Sequence, residues 1–168
     1  SVGPLEAAIG AAPADDLGFL GAARVALMRV APDQAAAQTT AFEALLPIDE
    51  ATLGPLNSGF LAVLAEQGAA VDTPHVRAAL RLTARHRDRY ARVAAIDALA
   101  TLGDRDATPV LIGRLDDPMP GVRRAAIGAL QRIQGTRALG TAEEWKAWCA
   151  ARKCRADLGP DAPASPPP

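Results

Sequence analysis

Sliding the chain against itself by 31 residues places residues 91–102 on residues 122–133, and six positions coincide. Arg92 falls on Arg123, Ala94 and Ala95 on Ala125 and Ala126, Ile96 on Ile127, and Ala98 and Leu99 on Ala129 and Leu130. A period of this size constrains the fold strongly, because one such unit cannot bury its apolar face alone and must stack on neighbours. Within each copy, Ala95, Leu99 and Leu102, or Ala126, Leu130 and Ile133, recur at i, i+4 and i+7, which predicts one helix with a single apolar face. A shorter helix is predicted between the copies, over residues 107–115, bounded by Gly103-Asp104 and Asp117-Pro118. Asp117 is placed to cap the following helix, with Pro118 and Pro120 tolerated in its first turn, where N–H groups lack intrahelical acceptors.

Composition favours the same architecture. Alanine supplies 39 of 168 residues and aromatics only six, so interior contacts fall to small side chains that let helix backbones approach closely. Alanine is the best helix former and is depleted in strands. Leu, Ile, Val and Phe together make 37 residues, and the net charge of −1 brings no self-repulsion, so the chain is expected to be compact. Its length allows one domain or one repeat array whose core needs no metal or cofactor to be stable. A sequence pI near 6.1 argues against general nucleic-acid or anionic-membrane binding. The longest apolar stretch, residues 17–28, is broken by Arg24 and falls short of the roughly 20 residues needed to cross a bilayer. Ser1 fits either removal of an initiating Met or loss of a signal peptide, which leaves the compartment open.

The run Leu115-Asp116-Asp117-Pro118-Met119-Pro120-Gly121-Val122-Arg123-Arg124-Ala125-Ala126-Ile127-Gly128-Ala129-Leu130 resembles the HEAT-repeat pattern of a Leu, an Asp, then Val-Arg and an Ala-Ala-x-x-Ala-Leu helix. The likeness extends over about residues 73–135 and includes the HEAT-like repeats of phycobilin lyases. It implies an all-α fold, a short right-handed α-solenoid of antiparallel helix pairs. It also implies that Asp117, Arg92 and Arg123 belong to a polar ladder tying neighbouring repeats together.

Upstream, apolar helical stretches are expected over residues 16–30, 34–46 and 55–67, with residues 74–87 forming the first helix of the pair that ends at Leu102. The stretches before residue 73 carry no clean 31-residue match, as expected of atypical terminal units. At the other end, Thr141-Ala142-Glu143-Glu144 is a capping box that starts a helix. Trp145 and Trp148 share a face of it and are expected to cover the last repeat. Some bacterial HEAT-like proteins are similar in ending on a Trp-x-x-Trp helix. Residues 157–168 are rich in Pro, Ala and Ser, as in a tail or linker. The expected organisation is an N-terminal helical region over 1–72, HEAT-like repeats with a capping helix over 73–155, and a tail over 156–168.

Motifs for chemistry are sparse. His75 and His86, on one continuous helix, would stand roughly 16 Å apart and could not share a metal. Ser58 lacks a Gly-x-Ser-x-Gly elbow, and no Gly-rich phosphate loop or Cys-x-x-Cys occurs, so no catalytic or metal-binding constellation is visible. Cys149 and Cys154 point about 140° apart on a continuous helix, so a disulfide requires the helix to end near Arg152-Lys153; one packed and one exposed thiol is the other expectation. Arg124, Gln131 and Arg132 point away from the apolar stripe, alongside Val93, Asp97 and Thr101 of the preceding copy. These six residues are the candidate partner-binding surface, and their mixed character suits another protein. The expected function is therefore non-catalytic: a protein-binding scaffold or subunit of a larger assembly. The alternatives are a nucleic-acid-binding surface, as in HEAT-like DNA glycosylases, and a lyase-like accessory for a bound small molecule.

Overall fold

The computed structural model describes residues 2–53 and 58–151. Among these every regular element is helical: α1 (Val2–Ala11), α2 (Leu17–Val30), α3 (Ala35–Glu43), α4 (Glu50–Leu53), α5 (Ser58–Val71), α6 (Pro74–Thr83), α7 (Arg89–Thr101), α8 (Thr108–Gly113), α9 (Pro120–Gln134) and α10 (Ala142–Ala151). The chain is an all-α solenoid. Helices α2, α5, α7 and α9 pack in succession as one layer. Against it lie α3 on α2, α6 on α5 and α7, and α8 on α9, while α10 packs on α8.

Local chemistry sets where the helices begin and end. The Asp16 carboxylate accepts the Phe19 N–H at 3.1 Å to open α2, and Thr73 Oγ1 accepts the Val76 N–H at 3.3 Å to open α6. Asp88 opens α7 by accepting from Tyr90 N and Ala91 N at 2.7 and 3.2 Å, the side-chain cap that orphan first-turn donors require. Helix α9 stops at Gly135, whose left-handed φ of 67° costs nothing without a Cβ. The capping box of α10 forms in both directions: Glu144 N donates to Thr141 Oγ1, and Thr141 N donates to Glu144 Oε2.

One apolar core runs from Val25 to Cys149. The stripe residues Ala95, Leu99, Ala126 and Leu130 are fully buried. Helix α7 also buries Ala91, Ile96, Ala98 and Ala100, because it lies between α5 and α9 and is covered on two sides. Ile127, the equivalent of Ile96, is only half-buried, since α9 is the last helix of its layer.

Several sequence-based expectations change. Helix α6 ends at Thr83, so His86 sits in the loop before α7 rather than on one continuous helix with His75. The residue flanking α9 is Met119, so Pro118 lies outside the first turn and Asp117 does not occupy the cap position. Helices α1 and α4 carry no apolar period long enough to announce them. The stretch expected at residues 55–67 extends further, to Val71, while its first residues, 55–57, and the tail from residue 156 lie outside the described residues.

Two glycines inside long helices separate close approach from vacancy. A Cβ at Gly68 would stand 2.9 Å from Val76 Cγ1, where α5 and α6 meet, whereas one at Gly128 would meet nothing within 4 Å. Gly128→Ala is therefore expected to raise stability by about 0.5–1 kcal/mol. Gly68→Ala is expected to lower it, because overpacking costs of about 1–3 kcal/mol outweigh the gain in helix propensity. Urea unfolding of the two single variants reads the opposite signs directly.

Candidate functional site

The repeat places two polar assemblies at its loops and one exposed strip on its helices. The first assembly centres on Arg92 and Asp117, both buried at 7 % and 4 % exposure. Arg92 Nε and Nη2 stand 2.9 Å from the two oxygens of Asp117. Its Nη1 donates to the carbonyls of His86 and Arg87 at 2.9 and 3.0 Å. Arg123, one period later, repeats the second half of this pattern, donating from Nη1 to the carbonyls of Asp117 and Pro118 at 2.7 and 3.1 Å. Asp117 is further held by the Met119 N–H at 3.0 Å and by Arg114 at 3.7 Å. Each ladder arginine thus clamps the loop of its own repeat, and Arg92 also reaches the carboxylate of the next. One period beyond Asp117 stands Trp148, so Arg123 makes no ion pair among the described residues.

One period before Asp117 stands His86, which is 5 % exposed. Its Nδ1 accepts the Asp88 N–H at 3.1 Å, in the place where Asp117 accepts that of Met119. Nδ1 as acceptor leaves the proton on Nε2, which has no hydrogen-bond partner among the described residues. Burial pushes the His86 pKa down, and the Arg87 and Arg92 charges add to this against weaker pulls from Asp88 and Glu50.

A second assembly lay outside the residues singled out in the sequence. Buried Asp104, 2 % exposed, takes Arg81 bidentately at 2.7 and 3.1 Å. Arg77 pairs with Asp72 at 2.7 Å, lies 3.6 Å from Asp104, and donates to the Leu102 carbonyl at 3.2 Å. Its pKa is raised chiefly by the hydrogen bond to Asp72. The signal available was the Gly103-Asp104 turn opposite two arginines four residues apart.

The exposed strip runs along α7 and α9. Tyr90, Val93, Asp97 and Thr101 share one face of α7, and Gly121, Arg124, Gly128 and Arg132 share the equivalent face of α9. Of the six candidate residues, Asp97, Thr101, Arg124 and Arg132 are exposed here and Val93 is half-buried. Partial desolvation raises the Asp97 pKa while the charge of Arg132, across the helix pair, lowers it. Gln131 departs from the expectation: it occupies the position of buried Ala100, and its Nε2 donates to the Leu139 carbonyl at 2.9 Å, where it anchors the loop before α10. Leu139 also accepts from Trp145 Nε1 at 3.1 Å. Trp145 is fully buried, Trp148 meets it edge-on at a centroid distance of 5.4 Å, and Lys146 Nζ ties α10 to Asp116 at 2.6 Å. Cys149 is buried and disulfide-bonded; Cys154 lies outside the described residues.

Two cavities border these elements. One, of about 430 Å³, lies between residues 46–48 and the outer face of α6. Its rim cation Arg81 is committed to Asp104, and His75 stands 3.6 Å from Glu43. The other, of about 250 Å³, is lined by Arg89, Tyr90, Val93, Met119, Gly121 and Val122 at the N-terminal ends of α7 and α9. Among the described residues no group of three or more His, Cys, Asp or Glu side chains could hold a metal ion, and no helix is long and apolar enough to cross a membrane.

Stacked helical hairpins whose repeated arginines grip the loops, one of them also pairing with the aspartate of the next repeat, define a helical-repeat protein. Residues 69–145 match the family model of HEAT repeats. No curated protein and no solved structure matches the chain. Repeats of this family generally mediate contacts between proteins.

Removing one partner of the ladder pair leaves a buried charge uncompensated. Asp117→Ala is expected to lower stability by about 3–5 kcal/mol. Arg123→Ala, which breaks only half-buried hydrogen bonds to carbonyls, is expected to cost about 1–3 kcal/mol. Denaturant unfolding of both ranks them.

His86 supplies a pH dependence with a definite sign. Its folded pKa lies below its unfolded value of about 6.5, so the unfolded chain binds the extra proton first. Stability is then full above about pH 6.5 and declines as the pH falls below it. Between pH 7 and 5 the unfolding midpoint is expected to drop in the wild type and to drop less in His86→Asn, whose amide oxygen can still accept the Asp88 N–H.

Proposed function

We propose that this chain is a non-catalytic protein-binding module that engages its partner through the exposed strip of α7 and α9. The observation that carries the reading is the state of the arginines. Arg81 and Arg92 are bound to carboxylates, and Arg123 is spent on loop carbonyls. Arg124 and Arg132, by contrast, point outward and form no ion pair among the described residues. They stand beside Asp97, Thr101 and half-buried Val93, and this mixture of charge and apolar surface resembles the rim and core of a protein interface. A rigid two-layer stack holds the strip in place, so little conformational entropy is lost on contact. The near-neutral net charge weighs against a backbone-neutralising role on nucleic acid.

The test is cross-linked capture from native extract, with the wild type and an Asp97→Ala, Arg124→Glu, Arg132→Glu variant run in parallel and read by mass spectrometry. One protein is expected at near-stoichiometric recovery with the wild type and is expected to be lost with the variant, at unchanged thermal unfolding. Equal recovery by both chains would remove this strip from the reading.

A further inference from the structure

The 31-residue shift sets Tyr90 of α7 against Gly121 of α9. Where α7 raises an aromatic ring that is 67 % exposed, α9 has no side chain, and a Cβ there would meet nothing within 4 Å. The result is the notch of about 250 Å³, walled by Tyr90, Val93, Met119 and Val122. That volume lies below the roughly 300–1,000 Å³ of sites that enclose a whole small molecule, and it matches a side chain better than a ligand.

The ring that walls the notch is held in place. The Arg89 guanidinium lies 4.6 Å from the Tyr90 centroid and donates to the phenolic oxygen at 2.6 Å. Tyr and Arg are both enriched among the few residues that carry most of the binding energy at protein interfaces. The surroundings of the notch are positive. Arg89 and Arg124 are exposed, and neither forms an ion pair among the described residues. The nearby carboxylate, Asp88, accepts from the N–H groups of Ala91 and Tyr90, which lower its pKa and keep it turned to the cap of α7. The N-terminal ends of α7 and α9, 13 and 15 residues long, add their partial positive charge on the same side.

We infer that this notch takes one large apolar side chain, such as Leu, Met or Phe, from an acidic segment of the partner protein, with Arg89 and Arg124 pairing to the flanking carboxylates. The inference rests on the protein-binding reading above and specifies the partner's chemistry at one end of the same strip.

The experiment is to pan a randomised peptide library against the whole chain at low salt and to measure the best sequence as a synthetic labelled peptide. Enriched sequences are expected to share one large apolar residue flanked by two or more Asp or Glu. Gly121→Leu fills the notch from open space and is expected to weaken the peptide at least about tenfold, with thermal unfolding unchanged. Arg89→Gln with Arg124→Gln is expected to weaken it about as much and to flatten its salt dependence. No enrichment, enrichment of basic or purely polar sequences, or a peptide indifferent to Gly121→Leu would overturn the inference. So would a labelled single-stranded oligonucleotide that binds with the same dependence on these variants. If the library fails while the captured partner is still lost with the triple variant, the protein-binding reading stands and only the acidic-anchor chemistry falls.

Discussion

The ion pair between Arg92 and Asp117 is the contact on which the arrangement of the repeats turns. Burying two opposite charges is costly, and their mutual attraction offsets this only when the remaining donors and acceptors are also satisfied. Most of them are: Arg92 spends one nitrogen on the carbonyls of His86 and Arg87, and Asp117 accepts from Met119 N and lies close to Arg114, while Arg92 Nε stands 2.9 Å from Asp117 as an ion-pair contact without an aligned hydrogen bond. Because the same guanidinium grips the loop of its own repeat and the carboxylate of the next, it fixes the starting points of α7 and α9 relative to one another. That register in turn sets Tyr90 beside Gly121 and Asp97 within reach of the Arg132 charge. The placement of the exposed strip is therefore a consequence of a buried interaction.

Small side chains make this economy workable. Ala91, Ala95, Ala98 and Ala100 on α7 and Ala126 and Ala129 on α9 are all buried. They let the two helices close up with little rotamer entropy to lose, while Leu99 and Leu130 supply the bulk. The same economy leaves the layer thin, so that omitting one side chain on its surface, as at Gly121, opens a cavity. Gly128 is a second omission on the same strip, and it costs the helix about 1 kcal/mol in propensity relative to alanine although an alanine would fit. A helix that accepts this cost where packing does not demand it presents its backbone to whatever lies against the strip.

The parts of the molecule that follow the period were legible in the sequence, and the parts that interrupt it were not. Arg92 and Arg123 coincide under the period and grip their loops in the same way, and the resemblance to the HEAT pattern supplied Asp117 as their partner. The buried stripe of α7 and α9 could be assigned because a helix against a layer must hide one face. Gln131 could not, because its partner, the Leu139 carbonyl, belongs to a loop that has no counterpart in the preceding repeat. For His86 the sequence excludes only a metal shared with His75; the loop geometry shows it standing in for a ladder aspartate, with a ring nitrogen accepting where a carboxylate oxygen accepts one repeat later. Asp104 escaped because its arginines lie 23 and 27 positions away on a helix whose orientation depends on tertiary packing.

These substitutions at the ladder positions also account for where the polar ladder begins and ends. His86 brings no negative charge to the start of the ladder, and Leu61, one period before Arg92, brings no cation, so no rung forms on the α5 side. At the other end Trp148 replaces the carboxylate that Arg123 would meet, and the fully buried Trp145 closes the stack through α10, which leans on α8 rather than extending the layer of α9. Ile127 is consequently half-exposed where Ile96 is buried. A ladder of one complete rung, closed by apolar packing on either side, confines the buried charge to the single junction between α7 and α9. That is also the junction whose outer edge carries the notch and the outward-facing arginines, so the buried ion pair lies beneath the exposed strip whose register it fixes.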